Sequence, residues 1–215
     1  MPKNRNNTVI LHSAMRSDLK RLGILQTNLE NVDSIAFKAI NPDSILFSEL
    51  MEDMFRNDDQ GEMVTTGRSL DLALTHEKGY FLVENGNGPE RTRDGQFHLN
   101  ADGKIVNFEG KELVVLDKSQ DHIKVADVNA IKIAPDGSIM VRNKFFGRVA
   151  IDYENKMPGD IAYVSQGRLE TSNVDISEHI MKVTQLKRHV DTLQSMLSLD
   201  LIADKSLMET YGRNV

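Results

Sequence analysis

The stretch LHSAMRSDLKRLGILQTNLENV, residues 11–32, decides the fold together with its counterpart ISEHIMKVTQLKRHVDTLQSML, residues 176–197. Apolar side chains occupy the a and d positions of a heptad repeat in both stretches, and we call this set the seam. Its members are Leu11, Met15, Leu22, Leu25, Leu29 and Val32, then Ile176, Val183, Leu186, Val190, Leu193 and Leu197. Asp18, His179 and Asp200 interrupt the repeat. A repeat of about 3.5 residues makes an apolar stripe that one helix cannot bury alone. The pattern therefore predicts that the seam is an assembly interface between two long helices, or between copies of them.

Between these helices the apolar period changes to that of β-strands. Leu70, Leu72 and Leu74 alternate with other residues, and Asp-Gly pairs recur at residues 94–95, 102–103 and 136–137. Because Gly tolerates the positive φ that tight hairpin turns require, these pairs favour short antiparallel strands. The sequence predicts an α+β fold, in which long N- and C-terminal helices form a coiled-coil-like stem with an inserted small, mainly antiparallel β-domain.

The change of period divides the chain into four parts. Residues 1–34 hold the N-terminal helix of the stem, with disorder expected over 1–7 and helix over 8–34. Residues 35–68 form a connector with a short helix expected over 45–55, and residues 69–165 form the β-domain. Residues 166–215 form a bridge and the C-terminal helix, which we expect Asp175 or Ser177 to cap and which should run to about residue 210.

Composition excludes several classes of function. The 215 residues carry a net charge of −6 with a pI near 5.5, so the chain has no electrostatic footprint for nucleic acid. There is no cysteine, which excludes disulfides, cysteine–zinc sites and thiol catalysis. No apolar run is long enough to span a membrane, and the polar N-terminus lacks the apolar core of a secretory signal. Export, if it occurs, is expected to proceed without a cleaved signal peptide.

The sequence offers no catalytic, metal-binding or cofactor-binding residues. The six histidines are scattered and lack the spacing of a metal site, and no nucleophile elbow or dinucleotide loop is present. We expect His179 and His189 to be packed or solvated helix residues rather than ligands. The acidic stretch over residues 49–62 is interpreted as a solvated connector rather than as an acidic binding tail. An enzyme and a cofactor are therefore not predicted.

Three separated segments resemble the bacterial flagellar rod and hook protein family. The first, residues 28–38, is similar to the family's N-terminal signature of the type N-L-A-N-x-x-T-x-G-F-K, with matches at Asn28, Leu29, Asn31, Phe37 and Lys38. Ala36 stands where the family has Gly, a residue that lets the chain turn sharply after the helix. The third, residues 169–174, resembles the C-terminal signature L-E-x-S-N-V through Leu169, Glu170, Ser172, Asn173 and Val174.

The second segment resembles the start of the family's β-domain. It comprises residues 68–74 (RSLDLAL), 79–83 (GYFLV) and 92–97 (TRDGQF). The three segments occur in the family's order and spacing over about residues 10–200. The short connector and the form of residues 68–74 are more similar to the family's proximal rod branch than to its distal rod branch.

The resemblance implies a structural subunit of the flagellar basal-body rod. Such a subunit is exported by the flagellar type III system and assembles in the periplasm with itself and other rod proteins, through terminal helices that line a tube around the export channel. Periodicity alone leaves two alternatives open. One is a closed intramolecular coiled coil, and the other is a β-domain binding module on a dimeric helical stalk.

Overall fold

The structure is a computed structural model that describes residues 3–43, 56–84, 86, 88–124, 128–153 and 164–212. The chain folds into two compact units. The helical unit comprises Met1–Glu30, Ile40–Arg56 and Asp175–Val215. The β unit comprises Asn31–Ala39 and Asn57–Val174. The short helix expected over residues 45–55 lies outside the described residues.

Two long helices make up the described part of the helical unit. Helix α1 spans Lys3–Glu30, and helix α2 spans Ile176–Gly212. The prediction of disorder over residues 1–7 is wrong from Lys3 onward, because a polar segment extends a helix that has already been nucleated further along the chain. Since α1 ends at Glu30, Val32 lies in a turn beyond the helix rather than on its seam.

The start of α2 confirms one of the two expected caps. The backbone N–H of Glu178 donates to Asp175 Oδ1 at 2.9 Å, so Asp175 satisfies a donor that the first helical turn leaves free. Glu178 itself lies in that first turn, where a negative charge favours the helix dipole.

Helices α1 and α2 pack side by side and run antiparallel. Three side-chain pairs show the direction, because their residue numbers rise along α1 and fall along α2. The pairs are Thr8 with Asp200, Asp18 with His189, and Asn28 with His179.

The described residues of the β unit form fourteen short strands, and every pairing between these strands is antiparallel. The first seven are β1 (Met63–Thr65), β2 (Leu72–Leu74), β3 (Gly79–Glu84), β4 (Pro89–Thr92), β5 (Phe97–Leu99), β6 (Ile105–Asn107) and β7 (Glu112–Leu113). The others are β8 (Val115–Leu116), β9 (Ile131–Ile133), β10 (Ser138–Val141), β11 (Lys144–Val149), β12 (Ile151–Tyr153), β13 (Val164–Gln166) and β14 (Arg168–Glu170). A short 3-10 helix, Val128–Ala130, precedes β9.

Within the described residues these strands form four sheets, three of which contribute side chains to one apolar core. The largest has the order β12-β3-β7-β6-β5, with β4 also paired to β3, and the second has the order β8-β11-β10-β9. Strand β2 pairs with β13, and β1 pairs with β14. Inward-facing side chains such as Leu72, Phe81, Leu113, Ile131 and Ile139 are almost completely buried in the core. These observations confirm an α+β fold with an antiparallel β region.

The strand pair β1–β14 lies outside the residues expected for the β-domain. Met63 pairs with Glu170 and Thr65 with Arg168, so a strand lies inside the stretch expected to be a connector and another inside the expected bridge. Three-residue strands of this kind carry too little periodicity to be recognised in a sequence.

The turns at Gly103, Gly110 and Gly137 follow the sequence prediction, but the prediction of a hairpin turn at Asp94-Gly95 is wrong. Gly95 does not have a positive φ, and its flanking strands β4 and β5 pair with β3 and β6; the Gly95 backbone instead lies close to that of Leu72. Gly103, Gly110 and Gly137 each adopt a φ between 76° and 80°, the left-handed conformation that Gly adopts at little cost. Among the helices of the described residues, none is long and apolar enough to cross a membrane.

Candidate functional site

The seam residues within the helical unit differ widely in burial. Leu25, Val190 and Leu193 are buried between α1 and α2, whereas Ile176 remains about half exposed. The others on the helices are partly buried, namely Leu11, Met15, Leu22, Leu29, Val183, Leu186 and Leu197. The structure therefore brings the seams of the two helices together within one chain.

Asn28 is the centre of a polar layer in that seam. Its amide Nδ2 donates to the Ile40 carbonyl at 2.8 Å, and its Oδ1 accepts from the Ile40 backbone N–H at 2.9 Å. Its Nδ2 also lies 3.0 Å from His179 Nε2. His179 Nδ1 lies 2.7 Å from the Asp175 carbonyl, which only accepts, so Nδ1 is the donor and Nε2 the acceptor. Each polar group of this layer therefore has a partner, which a buried layer requires.

Asp18 forms a second polar layer further along the seam. Its side chain is only 5% exposed, and Oδ2 accepts from His189 Nδ1 at 2.6 Å. Arg21 lies 3.6 Å from the other oxygen of the same carboxylate and 3.4 Å from Asp43. The interruption that Asp18 makes in the heptad is therefore compensated by an imidazole from the opposite helix.

The family motifs meet in the β unit at one buried carboxylate, Glu170 of β14. Lys38 Nζ lies 2.7 Å from Glu170 Oε1, and the backbone N–H of Gly61 donates to the same oxygen at 3.0 Å. Arg93 donates to Oε2 from Nε at 3.0 Å and from Nη2 at 2.6 Å. All three charged side chains are at most 6% exposed. We call Lys38, Arg93, Glu170 and Asn173 the motif junction.

Backbone carbonyls balance the second positive charge of the motif junction. Arg93 Nη1 donates to the carbonyls of His76, Glu77 and Gly79. Lys38 Nζ also donates to the Asp59 carbonyl at 2.6 Å. A buried guanidinium or ammonium group that is paired and fully hydrogen-bonded avoids most of the desolvation penalty of an isolated charge.

Asn173 connects the motif junction to two other segments of the chain, one at Ala39 and one at Asn57 and Asp59. Its Oδ1 accepts from the Ala39 backbone N–H at 2.7 Å, and its Nδ2 donates to the carbonyls of Asn57 and Asp59. Backbone hydrogen bonds from Ala36 N–H to the Glu170 carbonyl and from Asn173 N–H to the Phe37 carbonyl run alongside. The N-terminal and C-terminal signatures are thus joined side by side.

The remaining signature residues serve local packing. Asn31 accepts from the Ser34 hydroxyl through Oδ1, and its carbonyl accepts from the Ser34 backbone N–H, which together form the turn after α1. Ser172 Oγ accepts from the Val174 N–H. Leu169 and Val174 are buried.

Ala36, which stands where the family signature has Gly, adopts a left-handed backbone conformation. Its φ is +54°, in the left-handed region, and the residue is 8% exposed. A Cβ atom in this conformation costs about 1–2 kcal/mol. The sharp turn after α1 is therefore kept in this chain at the expense of local strain.

Sequence reasoning did not single out Arg93 or the partners of the seam histidines. Arg93 was part of a matched segment, but nothing in a sequence indicates that its guanidinium turns inward to a carboxylate 77 residues away. His179 and His189 were expected to be packed or solvated, and both make cross-helix hydrogen bonds. Within the described residues, no group of three or more His, Asp or Glu side chains has the arrangement of a metal site.

Comparison with known proteins gives consistent matches. A family profile described as "Flagellar hook protein FlgE/F/G D1 domain" matches residues 76–141, from just before β3 to the end of β10. The flagellar basal-body rod protein FlgF of Caulobacter vibrioides is 28% identical over 74% of this chain and 72% of its own length. FlgF of Rhizobium meliloti is 26% identical over 95% of this chain and 96% of its own length. The basal-body rod protein FlgG of Bacillus subtilis is 36% identical over 36% of this chain and 28% of its own length.

These matches confirm the resemblance to the flagellar rod and hook proteins. The profile matches the middle part of the β unit, and the relatives named here are basal-body rod proteins, so the chain is similar to proteins of the flagellar rod. The similarity to FlgF extends over most of the chain, whereas the similarity to FlgG is confined to about a third of it.

Proposed function

We propose that this chain is a structural subunit of the bacterial flagellar basal-body rod and occupies the proximal, FlgF-like position. The observation that carries the proposal is the similarity to FlgF of Rhizobium meliloti over 95% of the chain, a range long enough to include most of both terminal helices and of the β unit. A role without catalysis fits the names of the relatives, which are all rod proteins.

The subunit polymerises through its terminal helices into a helical tube that transmits torque and surrounds the export channel. Helices α1 and α2 expose large apolar side chains beyond their mutual contact, which supports further packing by neighbouring subunits. These residues are Val9, Ile10, Leu19, Ile176, Ile180, Met181, Met196, Leu199, Leu201 and Ile202. Packing of one such surface against a different surface on the next copy gives a non-closing contact, which generates a helical assembly.

In this proposal the seam contributes to the assembly interface by holding α1 and α2 together, so that their exposed apolar side chains can contact neighbouring subunits. The coiled-coil-like stem of α1 and α2 forms the inner part of the subunit, and its partners are further copies and other flagellar rod proteins. The chain reaches the periplasmic basal body through the flagellar type III export apparatus without a cleaved signal peptide. No nucleic acid, cofactor or inserted membrane segment has a part in this function.

Mass spectrometry of purified hook–basal-body complexes tests the proposal. We expect peptides of this chain at an abundance similar to that of the other rod proteins, and we expect loss of motility when the gene is deleted. A chain that is absent from intact complexes and remains in the cytoplasm of motile cells would overturn the rod assignment.

The distal, FlgG-like position is the second candidate. The local identity of 36% to FlgG of Bacillus subtilis favours it, although the match covers only 36% of the chain. Localisation of a tagged copy along the rod by electron microscopy separates the two positions, because the proximal and distal segments lie at different heights in the basal body.

A further inference from the structure

Each polar layer of the helical unit pairs one side chain of α1 with one side chain of α2. Asp18 and Asn28 lie on α1, while His189 and His179, the side chains that match them, lie on α2. Apolar seam residues such as Leu25 and Val190 pack with any apolar neighbour, but a buried polar group tolerates only a neighbour that satisfies it.

We propose that the pairs Asp18–His189 and Asn28–His179 determine which helices pair and in which register. They select α1 with α2 of one chain, in a single antiparallel alignment, over slipped alignments and over self-pairing of either helix. This inference concerns helix pairing itself, so it goes beyond the rod function and does not depend on it.

The alternative registers show why the two pairs are selective. Sliding α2 by one heptad in one direction places Asp18 opposite Met196 and Asn28 opposite Leu186, so that both polar side chains face apolar ones. Sliding it in the other direction gives Asp18 a new partner, Lys182, but places Asn28 opposite Ser172, which precedes the start of α2, so Asn28 opposes this slip. A pure leucine seam of the same length would accept either slip.

Self-pairing is disfavoured by the distribution of the groups. The buried carboxylate of Asp18 belongs to α1, whereas the buried imidazole of His179 and the imidazole of His189, which is 58% exposed at the edge of the seam, belong to α2. Two copies of α1 in parallel register would bring the two Asp18 carboxylates together, because the imidazole that α1 itself carries, His12, lies six residues away along the helix. Two copies of α2 would bring His179 and His189 together without the carboxylate or the amide that they bind in the native pair.

The third pair makes the alignment consistent along the helices. Thr8 Oγ1 donates to Asp200 Oδ2 at 2.9 Å, ten residues before Asp18 on α1 and eleven beyond His189 on α2. The three pairs thus recur at nearly equal intervals, about three helical turns apart. Equal intervals on both helices are what a single continuous register requires.

Cysteine cross-linking tests the register directly, since the chain has no native cysteine. One full-length variant carries Leu22→Cys with Leu186→Cys, which face each other in the observed register. A second carries Leu29→Cys with Leu186→Cys, which face each other only after a slip of one heptad. We expect the first pair to form its intrachain disulfide at least tenfold faster than the second under mild oxidation.

The same two reporters are then placed in the background Asp18→Leu with His189→Leu. We expect the ratio of the two rates to fall at least threefold and disulfide-linked dimers to increase, because one polar layer has become apolar. The matched control Lys20→Leu with Asp191→Leu adds leucines at exposed positions and should leave the ratio unchanged. An unchanged ratio in the Asp18–His189 background would overturn the proposal.

If the double leucine variant does not fold, a variant in which the two partners are exchanged provides a second test. The variant Asp18→His with His189→Asp retains a carboxylate–imidazole pair, whereas each single parent has two like groups. We expect both parents to lower the ratio and the exchanged variant to restore it. Failure of the exchange to restore the ratio in folded protein would contradict a pairing role and leave these residues as ordinary packing.

Discussion

At the scale of single residues, Glu170 carries the one negative charge of the motif junction, opposite Lys38 and Arg93. Glu170→Gln leaves two buried cations with only neutral acceptors. Breaking a buried ion pair from one side costs about 3–5 kcal/mol, so we expect the free energy of unfolding to fall by about that amount. Urea unfolding followed by the near-UV circular dichroism of tyrosine measures the change.

The matched control is Glu178→Gln. Glu178 also pairs with a lysine, Lys182, at 2.6 Å, but both side chains are more than 40% exposed. Solvent screens such a pair, so its loss should cost less than about 1 kcal/mol. Equal effects of the two substitutions would contradict the importance assigned to the motif junction.

Ala36 allows the strain of a left-handed alanine to be measured. Ala36→Gly removes a backbone strain of about 1–2 kcal/mol and also removes one buried methyl group. Ala39→Gly removes a similarly buried methyl group from a residue without positive φ. We therefore expect Ala36→Gly to be more stable than Ala39→Gly by about 1–2 kcal/mol in urea unfolding. Two variants of equal stability would show that position 36 carries no strain.

Asp94 gives the β unit a predictable pH dependence. Burial raises the pKa of Asp94 above its ordinary value of 3.8, and the nearby charges of Glu109 and Asp71 act in the same direction, against a hydrogen bond from the Gln96 N–H. The ionised carboxylate therefore destabilises the fold at neutral pH. This cost is absent below the ordinary value, where both folded and unfolded states are protonated, and it grows as the pH rises through the raised value.

We expect Asp94→Asn to be more stable than the parent at pH 7, because the amide still accepts from Gln96 without a charge. The difference should shrink as the pH falls towards 3.8, the ordinary value of the carboxyl. Thermal unfolding at several pH values measures it. Asp102→Asn, in an exposed Asp-Gly turn, is the control and should change stability little at any of these pH values. A stabilisation by Asp94→Asn that persists at low pH would have another cause.

At the scale of the elements, the Asp175 side chain caps the N-terminus of α2 and contributes to the stability of this helix. Asp175→Ala removes the acceptor for the Glu178 N–H, and loss of an N-cap costs about 1 kcal/mol. Ser177→Ala, two residues later, should have little effect. Thermal unfolding followed by circular dichroism at the helix band compares the two variants. A larger loss from Ser177→Ala would mean that the helix begins at the other candidate cap.

The same elements show what the sequence reveals and what it hides. The seam could be predicted because apolar residues recur at heptad spacing in each helix, and the positions include the buried Leu25 on α1 and Val190 and Leu193 on α2. The α+β architecture could be predicted from the change of apolar period between the helices and the middle of the chain. The resemblance to the family signatures singled out Lys38, Glu170 and Asn173, but it did not predict that these residues lie together in the motif junction. The geometry of the motif junction depends on contacts between chain segments that are more than a hundred residues apart in the sequence, and no local sequence pattern encodes such contacts.

The polar interruptions of the seam illustrate the limit most clearly. Asp18 and His179 look like defects in a heptad when each helix is read alone. Their partners become evident only when the register between the two helices is known, because a shift of one heptad changes every facing pair. Short strands such as β1 and β14 escaped prediction for a related reason, since their pairing is decided by contacts across the fold.

At the scale of the whole molecule, the helix pair is where subunit folding and assembly meet. Leu193 is 7% exposed in the seam, and Leu193→Asp would bury an unpaired carboxylate there, at a cost of several kcal/mol. In the proposed rod, that loss is repeated in every copy, so we expect cells carrying the variant to be non-motile and to lack the chain in purified basal bodies. Gln194→Asp places the same charge on the neighbouring exposed position and should preserve motility. Because the β unit does not contain Leu193, its unfolding transition should be unchanged in the purified variant. Normal swimming of the Leu193→Asp strain would mean that the rod tolerates disruption of the seam, and the assembly interface would then have to lie elsewhere on the chain.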